Sequence, residues 1–203
     1  MIDSYLTLKE PVSTRITRKK SRFIGLLYPA ISEKEIEEIL GRVRRNYHDA
    51  SHVCYAYRLM GESDPIVYTE DAGEPAGSAG GPIMQQVEAA KLYNVLAVVV
   101  RYFGGKKLGL GGLIRAYADV TKEALVEATI VEVKRHVKIE IRFPPELGSA
   151  VMGLIHRHSA NVEKVTYDEV GHVRILLPPS LLSRFTAELK EASGARASLK
   201  EVQ

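Results

Sequence analysis

The sharpest change of pattern along the chain falls within residues 95–128, VLAVVVRYFGGKKLGLGGLIRAYADVTKEALVEA. Residues 95–100 are unbroken apolar and mostly β-branched, the pattern of a strand buried on both faces. Arg101, Tyr102 and Phe103 carry that strand into a glycine-rich loop, residues 104–112. From Leu113 the spacing turns helical. Leu113, Tyr117, Val120, Thr121, Ala124, Leu125 and Ala128 form one stripe, with Arg115, Asp119, Lys122, Glu123 and Glu127 opposite. Upstream, the pattern predicts strands over residues 12–19, 22–28, 52–59 and 66–69, with Tyr55 and Tyr57 facing away from Cys54 and Ala56. Ser32 and Glu35 make a capping box for a helix whose buried face is Ile36, Ile39, Leu40 and Val43. Residues 70–82, EDAGEPAGSAGGP, are too rich in small side chains to form a core and read as a long ordered loop or lid. Pro82 suits the start of a helix continued by Ile83, Val87 and Ala90, which Asn94 can end.

After Lys134 the order changes. The pattern predicts a strand over 137–143, a helix from Pro145 to about His158, and a hairpin of 162–168 with 172–177. A helix opened by Pro179 and a strand over 195–202 complete it. That is the ferredoxin-like β-α-β-β-α-β order. The expected boundary lies near residues 132–136, giving domains 1–134 and 135–203 of an α+β protein.

Composition narrows the classes. An apolar share of 45% over 203 residues is enough for real cores. One cysteine excludes an internal disulfide framework and fits a reducing compartment. The opening residues MIDSYLTLKEP lack a secretion-signal pattern, and the apolar runs are too short to span a bilayer. The expectation is a cytoplasmic protein with no membrane partner. Net charge is +3, from 28 basic and 25 acidic side chains, so any nucleic-acid contact must be a local patch. The densest basic cluster is Arg15, Arg18, Lys19, Lys20 and Arg22, which also suits a solvated strand edge. No signal specific to DNA is present.

Candidate chemistry concentrates in two segments. In the glycine loop, backbone N–H groups near Gly109, Gly111 and Gly112 suit an anion, with Lys106 and Lys107 adding charge. The known phosphate templates fail in detail: Leu110-Gly111 stands where a P-loop needs Lys-Ser or Lys-Thr, and Ile114 where the dinucleotide fingerprint needs glycine. The same glycines also suit a tight strand-to-helix connection. In the lid, Glu70, Asp71 and Glu74 suit a metal or acid–base work, or the solvating charges of a flexible segment. His48, Asp49 and His52 fix no third metal ligand, so a pairing or capping role is favoured and no metal or other cofactor is expected. Cys54 sits inside a strand, and Ser21 and Ser78 lack a nucleophile-elbow setting, so no covalent catalyst is read. His156 and His158, at a helix end, read as structural or solvent-facing. The sheet face of the second domain lacks the aromatic residues that RNA-recognition modules stack on bases.

Four segments, KKSRFIG at 19–25, HDASHVCYAYR at 48–58, EDAGEPAGSAGGPI at 70–83 and VVVRYFGGKKLGLGGLIRAY at 98–117, resemble the YigZ/IMPACT family over nearly the whole chain. The resemblance implies an amino-terminal α/β sandwich similar to the ribosomal-protein domain 2-like fold, then a ferredoxin-like domain similar to one of elongation factor G. It also implies a non-catalytic, translation-associated regulatory protein that binds RNA, the ribosome or a translation factor. On that reading Arg101, Lys106, Lys107 and Arg115 engage phosphates, Tyr102 stacks on a base or packs in the core, and Gly109, Gly111 and Gly112 supply backbone donors. Asp71, Glu74 and Ser78 belong to the lid. The fold's superfamily also houses small-molecule kinases, but the serines they place after the glycines are missing here. The alternative is a small-molecule or nucleotide-phosphate-binding enzyme that uses the glycine loop, with Lys106 as counter-charge and Asp71 or Glu74 as metal ligand or base.

Overall fold

The computed structural model describes residues 2–61 and 64–202. The chain divides into two compact units, one of Tyr5–Val133 and one of residues 2–4 with 134–202. The first runs β1 (Ser4–Leu8), β2 (Val12–Arg18), β3 (Ser21–Pro29), α1 (Glu33–Asn46), β4 (His52–Leu59), β5 (Ile66–Glu70), α2 (Gly80–Ala89), β6 (Val95–Tyr102), α3 (Leu110–Glu127) and β7 (Ile130–Lys134). Five strands form an antiparallel sheet in the order β2-β3-β6-β4-β5, and β1 pairs with β7 in a separate two-stranded ribbon.

The apolar run read as a doubly buried strand is β6, at the centre of that sheet. Val95, Ala97 and Val99 face α2 and α3, in one core with Phe23, Leu27, Ile83, Val87, Tyr117 and Val120. Leu96, Val98 and Val100 face α1, in a second core with Ile36, Leu40, Val43 and Leu59. Helices on both faces explain why an antiparallel strand carries no polar alternation. Each such aliphatic side chain contributes about 1.5–3 kcal/mol on burial. At Gly25 an added Cβ would lie 2.9 Å from the Val120 carbonyl oxygen, so α3 rides directly on β3.

The helix starts are set in three ways. Ser32 Oγ accepts from the Glu35 N–H at 3.3 Å, while Glu35 Oε2 reaches back to the Ile31 N–H at 2.8 Å. The α2 helix begins at Gly80, two residues before the Pro82 start that the sequence suggested. Its cap is distant in sequence: Asp71 accepts from the Ala79 and Gly80 N–H groups, both at 2.9 Å. The α3 helix begins at Leu110, so Gly111 and Gly112 belong to its first turn and not to the loop as expected. Gly109, at φ 76°, supplies the reversal that admits the helix.

In the second unit, β8 (Val137–Phe143), α4 (Gly148–Arg157), β9 (Asn161–Tyr167), β10 (Gly171–Leu177), α5 (Leu182–Ala192) and β11 (Ser198–Val202) make an antiparallel sheet in the order β11-β8-β10-β9. Single 3₁₀ turns at Pro145–Leu147 and Pro179–Leu181 lead into the two helices. Ile139, Ile141, Phe143, Val173, Ile175 and Leu177 meet Val151, Leu154, Phe185 and Leu189 in its core. His158 is not solvent-facing: its ring is buried and pairs with Glu188 at 3.0 Å. Asp3 accepts from both the N–H and the hydroxyl of Ser180, holding the amino-terminal residues to this unit.

Candidate functional site

The lid, residues 71–79, is an ordered loop held by one side chain. Besides capping α2, Asp71 accepts from the Gly77 N–H at 2.7 Å. Burial alone would raise its pKa, but the three backbone donors outweigh it and hold the carboxyl below its usual value. Both Asp71 oxygens are thus committed to the lid's own backbone, so the base or metal role open to it in the sequence is not the one it fills.

That loop places Glu74 in the interior. Its Oε1 takes a hydrogen bond from Arg101 Nη1 at 2.5 Å and another from the Tyr117 hydroxyl at 2.7 Å. Arg101 and Glu74 side chains are 6% and 3% exposed, so this is a buried ion pair. Arg101 was expected to engage phosphates; the structure instead spends Nη1 on the lid. Cys54 extends the network, donating to the Asp71 carbonyl at 3.0 Å with its sulfur 3.4 Å from the Tyr117 hydroxyl. Burial pushes the Cys54 thiol up to about 12 and also raises the Tyr117 phenol above its usual value. Cys54 is therefore a protonated core thiol at neutral pH. In the native protein at pH 8, a thiol reagent such as iodoacetamide is expected to label it only as fast as the unit unfolds. Labelling at the rate of a free thiol would contradict the burial.

His52, at the start of β4, stands beside this pair. Its Nδ1 lies 3.0 Å from the Ala72 carbonyl and its Nε2 lies 3.9 Å from Glu74 Oε1. A carbonyl can only accept, so Nδ1 carries the proton and the Nε2 of a neutral ring is an acceptor. His52, Glu74, Pro75, Arg101, Phe103, Lys107, Leu108, Gly109, Leu110 and Leu113 together line a cleft of about 350 Å³. Among the described residues, no group of three His, Cys, Asp or Glu side chains is placed to hold a metal ion.

The other expected site residues fall outside this cleft. The Tyr102 hydroxyl donates to Asp49 at 2.7 Å, and the Arg22 guanidinium sits 4.2 Å above its ring. Lys106 is exposed on the loop, and Ser78 is buried with its hydroxyl unpartnered. Arg115 lines a separate hollow with Arg18, Lys19, Leu108, Gly112 and Asp119. That hollow joins the basic hairpin to the glycine loop. The joint is tight: a Cβ added to Gly104 would fall inside the Lys20 carbonyl group, and the Gly104 N–H donates to Ser21 Oγ at 3.1 Å.

Sequence reasoning missed two members of the site, Tyr117 and Phe103. Tyr117 was read only as part of an apolar stripe, although a phenol buried there needs a hydroxyl partner. Phe103 was read as the end of a strand; it is half-exposed at the cleft wall.

Residues 19–125, more than half of the chain, match the family model described as the Impact N-terminal domain. The chain belongs to the IMPACT family. All ten cleft residues lie inside the matched span. The IMPACT family member YvyE of Bacillus subtilis is 42% identical over 134 residues, 66% of this chain and 61% of YvyE. The IMPACT family member YigZ of Escherichia coli is 28% identical over 204 residues, all of both chains. A crystal structure described as that of an hypothetical protein superposes with a TM-score of 0.70 at 27% identity, covering 100% of this chain and 99% of the other. The likeness therefore extends across both units of the IMPACT fold. None of the helices in the described residues is long and apolar enough to cross a membrane.

Proposed function

We propose that this IMPACT protein is a cytoplasmic, translation-associated regulatory protein that holds ribosomal RNA by its backbone through the basic rim of the first unit. The carrying observation is the contact of Gly104 with Lys20, which brings the β2–β3 turn against the glycine loop. Five cations, Lys19, Lys20, Lys106, Lys107 and Arg115, then belong to one neighbourhood although they are spread over 97 positions of sequence. The turn itself supports the reading. Lys19 and Lys20 take φ of 45° and 71°, the left-handed region of a tight hairpin where Asn-Gly is the comfortable choice. Two lysines held there cost about 1–2 kcal/mol each, which is consistent with their charge being needed at that point.

Backbone binding of this kind needs no catalytic residue and no base stacking, and it is strongly salt-dependent. Co-sedimentation with purified ribosomes is expected to fall as salt rises. The Lys106→Ala/Lys107→Ala variant is expected to pellet less and to flatten the log–log salt slope by about 1.4–1.8, two phosphate contacts' worth. Salt-independent pelleting, or a double variant indistinguishable from the parent, would remove the rim from the binding site.

A further inference from the structure

The lid cleft has chemistry of a different kind from the rim. Its volume of about 350 Å³ lies at the small end of the roughly 300–1,000 Å³ range of small-molecule sites. It has apolar walls, Pro75, Phe103, Leu108, Leu110 and Leu113, and a few convergent polar groups.

Two acceptors that line the cleft lack donors. Glu74 has both of its donors, Arg101 and Tyr117, on Oε1, and no hydrogen bond reaches Oε2 among the described residues. Beside it, the lone pair of His52 Nε2 is directed away from the Ala72 carbonyl that fixes the opposite nitrogen. Oε2 keeps some access to solvent, so a ligand hydroxyl entering the cleft can donate to it. Paired hydroxyl groups on adjacent carbons satisfy a carboxylate oxygen and a neighbouring imidazole together.

Two backbone donors at the start of α3 lack acceptors among the described residues. The Gly109 carbonyl, at the cap of α3, is taken by the Gly112 and Leu113 N–H groups, and the N–H groups of Leu110 and Gly111 have no partner among the described residues. Leu110 and Lys107 both line the cleft. A helix N-terminus with a lysine beside it receives a phosphate group. The half-exposed Phe103 ring offers the same cleft a flat apolar wall.

We propose that the cleft binds a ribonucleoside monophosphate. The phosphate sits on the first turn of α3 and Lys107, the ribose hydroxyls donate to Glu74 Oε2 and His52 Nε2, and the base lies against Phe103. Lys107 belongs to both the rim and the cleft, whereas Lys19 and Lys20 do not line the cleft and test the rim alone.

The test is titration of the full chain with AMP, GMP, CMP and UMP, read by calorimetry and by the ring signals of His52 in NMR spectra. At least one nucleotide is expected to bind and to move the His52 signals. Its 2′,3′-dideoxy analogue is expected to bind about 10- to 100-fold more weakly, the loss of hydrogen bonds to a charged group. Leu110→Asp changes an exposed position at a helix start, where a carboxylate suits the helix. It is expected to abolish nucleotide binding while the protein stays folded. Lys19→Ala/Lys20→Ala is expected to weaken ribosome pelleting and leave nucleotide binding unchanged, so failure of the rim and failure of the cleft are told apart. Four flat titrations would overturn the proposal, as would equal binding of the dideoxy analogue. Inorganic phosphate binding as tightly as the nucleotides would also overturn it, reducing the cleft to a simple anion site.

Discussion

Glu74→Ala is expected to destabilise the first unit by about 3–5 kcal/mol, the usual cost of removing one partner from a buried pair. Arg101 would be left 94% buried with no counter-ion among the described residues, and the Tyr117 hydroxyl, fully buried, would lose its acceptor. The pair also fastens the lid: Glu74 is the lid residue whose side chain reaches both β6 and α3. Because the chain holds two units, a single unfolding midpoint is a poor readout. Amide exchange of β6, the strand buried on both faces, reports the first unit by itself. Removing both charges together supplies the control. Glu74→Leu combined with Arg101→Leu removes both charges and is expected to recover most of the loss, because an apolar pair of similar volume replaces a desolvated ionic one. A cost under about 1 kcal/mol for Glu74→Ala would mean that water reaches the pair, and the interior site described here would have to be redrawn as a surface one.

The parts of this architecture that were legible in the sequence are those whose causes are local. The β6 run, the Ser32–Glu35 cap and the β-α-β-β-α-β order all follow from side chains within a turn or a strand of one another. The misreadings share the opposite property. The α2 helix starts early because Asp71, nine residues before Gly80, caps it. The α3 helix includes Gly111 and Gly112, each of which disfavours a helix by about 1 kcal/mol, because Leu113, Ala116 and Tyr117 are buried against the sheet. His158, open in the sequence between a structural and a solvent-facing role, takes the structural one through Glu188, thirty positions away. The ribbon of β1 and β7 was not read at all, since two five-residue strands from the ends of the unit recognise each other only after folding.

The candidate site divides along the same line. Its residue types were visible in the glycine loop and the lid, but their roles depend on contacts between segments. Arg101 has the composition of a phosphate ligand and the environment of a buried ion pair. His52 belonged to a weak histidine pattern and becomes informative only when the Ala72 carbonyl fixes its tautomer. Whether the basic hairpin meets the glycine loop is a matter of tertiary contact, and Gly104 is where it is decided.

Gly104→Ala is accordingly expected to cost more than about 2 kcal/mol, at the upper end of overpacking penalties. The new methyl group would overlap the Lys20 carbonyl and stand 2.5 Å from the Ser21 nitrogen. Those are backbone atoms, so no side-chain rotation relieves the clash; the β2–β3 turn or the loop must move. Either movement breaks the hydrogen bond from Gly104 to Ser21 and parts Lys19 and Lys20 from Lys106 and Lys107. Gly105→Ala is the matched control. Its φ of 81° strains any side chain, but nothing lies within 4 Å of the added Cβ, so the cost is the left-handed penalty alone, about 1–2 kcal/mol. The two variants should therefore differ in function more than in stability. Gly104→Ala should lose salt-sensitive ribosome pelleting at temperatures where it is still folded, while Gly105→Ala should retain it. If Gly104→Ala matches the parent in both the exchange of β6 amides and pelleting, the contact between hairpin and loop is not maintained in solution, and the cations cannot act as one rim.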